Sequence, residues 1–152
     1  AWRPVNAIDG SPRQLIDRLK ANPRTIILGT NSFWEGVDIV GDALSLLIIA
    51  KLPFPVPSDP VFAARSELFD DPFGQYAVPQ AILRFKQGFG RLIRSADDRG
   101  VCVVLDRRIV GRRYGESFIS SLPSCTVETG SVQTIASVVE DFLNIGSVSR
   151  VT

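Results

Sequence analysis

Three continuous apolar runs constrain the fold of this chain more than any other feature: Thr25 to Thr30 (TIILGT), Leu44 to Leu52 (LSLLIIAKL) and Val101 to Leu105 (VCVVL). A strand with one wet face alternates apolar and polar residues. A strand that does not alternate is covered on both faces, as parallel strands between helices are. The stretches between the runs carry helical patterns. Ser11 is placed to cap a helix with Pro12 in its first position, and Leu15, Ile16 and Leu19 form its apolar stripe before Asn22-Pro23 stops it. Further helices are expected from Asp59 to Phe69, Val78 to Arg94, Tyr114 to Ser121 and Val132 to Asn144, the last with Ile135, Val138, Val139 and Phe142 as a packing stripe. The expectation is an α/β sandwich. A chain of 152 residues, 45% hydrophobic, suits one domain with one core.

Pro53, Pro55, Pro57 and Pro60 make the connection after the second run stiff and extended, because a residue preceding proline is biased away from helix. Ligands of open α/β sheets sit at the carboxyl ends of strands, so the residues just after Thr30, Leu52 and Leu105 are the first candidates for a site.

Charge narrows the choice further. The formal net charge is only +1, yet Arg84 to Arg113 holds nine basic residues against Asp97, Asp98 and Asp106. That local excess suits phosphate, on a nucleotide or on a nucleic-acid backbone, and it equally suits a solvated face. Cys102 and Cys125 have no C-x-x-C spacing and the chain has no histidine, which argues against a zinc or iron–sulfur site here and removes the Ser-His and Cys-His nucleophile pairs. No apolar run approaches the ~20 residues needed to span a bilayer and no signal-like segment opens the chain, so no membrane partner and a cytoplasmic, nucleoid-associated setting are expected.

The segment PQAILRFKQGFGRLIRS, residues 79 to 95, carries the chemistry. At about 100° per residue, Gln80, Arg84, Gln87, Arg91 and Arg94 fall on one narrow face and Ile82, Phe85, Phe89 and Leu92 on the opposite one. An ordinary solvated face has the same periodicity, so spacing alone leaves both readings open. Gly88 and Gly90 interrupt the helix at ~1 kcal/mol each relative to alanine, which points to something approaching the backbone closely. Arginine grips phosphate oxygens bidentately and never loses its charge, and an arginine inserted from another domain stabilises the γ-phosphate during transfer.

Gln87-Gly88-Phe89-Gly90-Arg91-Leu92-Ile93-Arg94-Ser95 resembles motif VI of superfamily-two helicases, in the Q-x-x-G-R-x-x-R form of the DinG/XPD branch. Asp98-Arg99-Gly100-Val101 and Leu105-Asp106-Arg107-Arg108 are similar to the stretch that follows it. Gly29-Thr30-Asn31-Ser32-Phe33-Trp34-Glu35-Gly36-Val37-Asp38 resembles motif V, and Leu52-Pro53-Phe54 with Pro57 and Asp59-Pro60 the next block, so that the likeness covers about residues 5 to 123.

The resemblance implies that residues 1–152 form the second, C-terminal RecA-like motor domain of an ATP-dependent DNA helicase. Its fold would be a P-loop NTPase-type three-layer sandwich with a mostly parallel sheet, truncated at its N-terminal side so that one sheet edge or face is exposed. It implies that Arg91 and Arg94 lie across from the nucleotide, with Gln87 organising the same interface and Gly90 beside it. Gly36 and Asp38 would couple the nucleotide cleft to DNA, and Asn31, Ser32 and Phe33 would lie near a single-stranded DNA path of 5′-to-3′ polarity. Glu35 reads as a structural pairing residue. For Phe33 and Trp34, core packing competes with base stacking.

No G-x-x-x-x-G-K-[ST] loop and no Asp-Glu-Ala-His segment occurs, so ATP and Mg2+ would be held mainly by the first RecA-like domain of the same polypeptide. An iron–sulfur cluster, where the family has one, also belongs to that first domain. This chain alone is expected to be inactive. Two other functions fit the same residues: a non-catalytic nucleic-acid-binding module, and a DinG-like protein with a fused exonuclease domain.

Overall fold

The first helix starts where its cap residues put it. In the computed structural model, which describes residues 3–6, 10–22, 24–30, 44–94 and 98–148, α1 runs Pro12–Ala21. Its capping box is reciprocal: the Gln14 N–H donates to Ser11 Oγ at 3.4 Å and the Ser11 N–H donates to Gln14 Oε1 at 2.9 Å. Leu15, Ile16 and Leu19 are its buried residues.

This helix connects β1 (Arg3–Asn6) to β2 (Thr25–Leu28), which pair in parallel with Arg3 opposite Thr25 and Asn6 opposite Leu28. β1 had no counterpart among the sequence expectations. Four residues with Pro4 inside do not read as a strand, but an edge position tolerates the missing donor.

The second parallel pair is β3 (Leu46–Ile49) with β4 (Val101–Val104), Leu46 opposite Val101 and Ile49 opposite Val104. Every strand pairing is therefore parallel, as the apolar runs imply, distributed over two two-stranded sheets among the described residues. The strands are shorter than the runs. Beyond Ile49 the chain turns off, and the Leu52 N–H donates to the Asp106 carboxylate instead of to a neighbouring strand.

The crossover from β3 to β4 contains α2 (Pro60–Ser66), a π-helical turn (Pro72–Ala77) and α3 (Val78–Leu92). After β4 come α4 (Arg108–Gly111), α5 (Gly115–Ser120) and α6 (Val132–Val148). The apolar face of α3 buries Val78, Ala81, Phe85, Phe89 and Leu92, the face its periodicity predicts.

Ile49, Leu52, Ala81, Phe85 and Phe118 form the main core, with Leu47, Cys102 and Val104 packed against it. Phe85 meets Phe118 edge-on at 5.4 Å, an arrangement that adds about 1 kcal/mol beyond area burial. Leu47, Ile49, Cys102 and Val104 thus share the sheet face covered by α3 and α5. The other face carries Ile48 and Val103, with α6 lying against β4. Helix, sheet and helix form three layers.

Coverage is uneven. Val103 is buried while its neighbour Ile48 is 56% exposed, and on β2 Ile26 and Leu28 are 43% and 53% exposed. Double-sided burial is therefore complete only along part of the sheets. On α6, Val139 is buried and Phe142 lies under the Arg99 guanidinium at 5.5 Å. Among the described residues no helix is long and apolar enough to cross a membrane.

Candidate functional site

α3 presents its polar side as the sequence predicts, up to a point. Gln87 is exposed, Arg84 and Arg91 are half-buried, and Gly90 is exposed with open space where a Cβ would stand. Among the described residues nothing crowds a side chain at 90, which leaves space for a group from outside. Gly88 is buried on the side facing the core.

Arg94 does not continue the stripe. The helix ends at Leu92, and Ile93 takes an extended conformation (φ −120°, ψ 113°), with its N–H still donating to the Phe89 carbonyl at 3.1 Å. The Arg94 N–H donates instead to Asp98 Oδ2 at 2.8 Å. An expected helix to Arg94 with both arginines on one face is thus corrected: Arg91 leaves from the last helical turn and Arg94 from beyond the helix end, after the extended Ile93.

The carboxyl ends of β3 and β4 are tied together by a latch that spacing did not reveal. Asp106, two residues past β4, accepts the Leu52 N–H at 2.8 Å and the Arg108 N–H at 3.1 Å. The Arg108 guanidinium grips the same carboxylate, with Nε at 2.9 and 3.0 Å and Nη2 at 2.6 Å. These donors, the guanidinium first, hold the Asp106 carboxyl far below the usual carboxylate range against the opposing effect of burial, and the carboxylate in turn raises Arg108.

Arg108 also lies 5.2 Å over the Phe54 ring. Phe54 stacks on Phe73 of the π-helical turn at 5.7 Å and meets Tyr114 edge-on at 5.5 Å. A second stack, Phe62 and Phe69 on either side of Tyr76, joins α2 to the same turn. The turn itself is closed by Asp71, whose carboxylate accepts the Gly74 N–H at 3.0 Å. The aromatic spacing from Phe54 to Tyr76 was the available signal for this layer.

The basic excess divides accordingly. Arg108 is committed to Asp106, while Arg112 and Arg113 line a shallow groove of 670 Å³ with Ile109, Val110, Glu116 and Ile119. That groove shares no residue with the polar side of α3. Burial, aided by Cys125, pushes the Cys102 thiol up to about 12, which leaves it unreactive near neutrality. Asn31, Ser32, Phe33, Gly36 and Asp38, with Trp34 and Glu35, lie outside the described residues.

A family model described as a helicase C-terminal domain matches residues 3–125. The chain is 50% identical over 117 residues to the ATP-dependent DNA helicase YoaA of Escherichia coli (strain K12), a match covering 74% of this chain and 18% of that protein. It is 46% identical over 122 residues to the 3'-5' exonuclease DinG of Bacillus subtilis (strain 168), covering 78% and 13%. It is 40% identical over 134 residues to the ATP-dependent helicase DinG of Mycobacterium tuberculosis (strain ATCC 25618 / H37Rv), covering 86% and 20%. The chain therefore spans no more than a fifth of the length of these curated relatives.

Proposed function

The chain belongs to the helicase C-terminal domain family, and from that membership we propose that residues 1–152 act as the second RecA-like motor domain of an ATP-dependent DNA helicase. The observation that carries the proposal is the last part of α3, which presents Gln87, Gly90 and Arg91, with Arg94 just beyond its end, on a helix whose opposite face is locked into the core by Phe85, Phe89 and Leu92. Guanidinium groups held this way pay little reorganisation when phosphate charge develops in front of them.

In this reading ATP binds between two motor domains. The first domain of the same polypeptide supplies the phosphate loop and the Mg2+ ligands. This chain supplies Arg91 and Arg94 to the γ-phosphate, with Gln87 ordering the interface and the open space at Gly90 admitting the nucleotide edge. ATP hydrolysis releases the energy that drives the motor. The residues of this chain bind and neutralise charge, and no group here acts as the hydrolytic base. Gly36 and Asp38 couple that cleft to single-stranded DNA, which runs past Asn31, Ser32 and Phe33 with 5′-to-3′ translocation. The protein works in the cytoplasm, on the nucleoid.

One relative bears the name of an exonuclease. In a protein of that kind this chain would keep the same arginine role, with the nuclease chemistry lying outside it.

Single-stranded-DNA-stimulated ATPase activity of the full-length protein, wild type against Arg94→Ala, tests the proposal. Turnover should fall by about a thousand-fold or more, the scale of a lost arginine finger, while DNA affinity survives. Persistent turnover with lost DNA binding would instead make the arginines a backbone grip and the domain a nucleic-acid-binding module.

A further inference from the structure

The end of α3 combines a cation in its last turn, Arg91, with a carboxylate placed just beyond it. A helix carboxyl end carries partial negative charge and is ordinarily met by Lys or Arg or closed by a glycine in left-handed conformation. Here the side chain that closes it is a carboxylate, Asp98, and the closing residue Ile93 is extended. Helix stability alone would not select aspartate at this position.

What Asp98 does is local. In a continued helix the Arg94 N–H would donate to the carbonyl four residues back, at Gly90. Asp98 Oδ2 takes that donor at 2.8 Å instead, which ends the helix and turns the Arg94 backbone out of the helical path. Two residues on, Gly100 lies against Leu92. A Cβ at Gly100 would collide with Leu92 Cδ1 and stand 2.8 Å from its Cγ, so any larger residue would push the Leu92 side chain aside. Leu92 is itself buried. The two fastenings, Asp98 on Arg94 and Gly100 on Leu92, fix where Arg94 starts relative to the rigid helix that carries Arg91.

We propose that Asp98 is a positioning residue for the second arginine: by accepting the Arg94 backbone N–H it holds Arg94 off the helix, so that Arg91 and Arg94 reach the transferring phosphate from two directions. The inference rests on the proposed role of Arg94 in ATP turnover. Asp98 touches neither nucleotide nor DNA in this scheme and acts through the Arg94 main chain.

The test compares Asp98→Ala and Asp98→Asn in the full-length protein, with Arg94→Ala as reference. The Asn side chain keeps an oxygen acceptor for the N–H while losing the charge; Ala loses both. Asp98→Ala should lower kcat for DNA-stimulated ATP hydrolysis about ten- to a hundred-fold, the usual cost of misplacing a reacting group by about an ångström. KM for ATP and affinity for single-stranded DNA should stay within about two-fold, and Asp98→Asn should restore most of the turnover. A loss equal in Asn and Ala would overturn the backbone role in favour of charge. Unchanged kcat in Asp98→Ala would overturn it outright, provided Arg94→Ala is inactive. If Arg94→Ala itself retains turnover, the motor reading fails and the positioning role with it. Thermal unfolding of each variant separates misplacement from misfolding: a kcat loss in Asp98→Ala at unchanged melting supports positioning, and a loss that scales with a lowered melting temperature counts against it.

Discussion

The β1–α1–β2 unit and the β3–β4 unit are both parallel strand pairs, yet they are held together differently. In the first, among the described residues, only α1 sets apolar side chains, Ile16 and Leu19, against Ile27 and Leu44, and the β2 side chains Ile26 and Leu28 are about half exposed. In the second, two helices cover one face, a third lies against the other, and an aromatic layer and an ion pair close the strand ends. The arginine-bearing helix belongs wholly to the second unit. The helix whose arginines are proposed to meet phosphate packs on the main core, while the lightly held unit precedes in sequence residues 31–38, for which a coupling role is proposed.

That contrast can be broken by mutation. Phe85→Ala should cost the most, about 3–5 kcal/mol, because a fully buried ring at the centre of the second core is removed. Denaturant unfolding followed by far-ultraviolet circular dichroism would register it as a lower global midpoint. Ile16→Ala should cost about 2 kcal/mol and act locally, so that hydrogen exchange accelerates in α1 and β2 ahead of β3 and β4. If both substitutions shift one common transition equally, the two units are a single cooperative block and the distinction drawn above is void.

Asp106→Asn comes next, at about 1.5 kcal/mol near neutral pH for a weakened charge-assisted network. Because the folded state holds this carboxyl low, its contribution is full above the ordinary carboxylate pKa of about 3.9 and is lost gradually as pH falls from there through the much lower folded-state value. The gap between wild type and variant should therefore narrow steadily as pH falls from about 5 to about 2, and a gap of constant size over that range would show that the carboxylate charge is not its source. Ser11→Ala should cost the least, about 1 kcal/mol, and a thermal shift confined to α1 signals would sharpen the contrast further.

Much of this architecture was legible from residues. Ser11-Pro12 placed the start of α1, and the alternation of Phe85, Phe89 and Leu92 with Arg84, Gln87 and Arg91 gave α3 its two faces, because caps and periodicity are local signals. The end of α3 was not, since it depends on a carboxylate four residues past Arg94 rather than on helix propensity. The Asp106 latch was hidden for a related reason. Its partners are two residues away in one direction and far away in the other, and no period announces them. β1 was missed because Pro4 disguises it.

The span of the Asp106 latch also bears on how the chain folds. Its bond to the Leu52 N–H joins residues 54 positions apart, with α2, the π-helical turn and α3 between them. A contact that must wait for loop closure over that length forms after the local helices and after most of the apolar collapse. Late contacts weigh on the escape rate from the native state and hardly on the rate of reaching it. The Asp106–Leu52 bond then works as a kinetic lock: removing the Asp106 carboxylate should steepen loss of the folded protein over time while leaving refolding after dilution from denaturant nearly as fast.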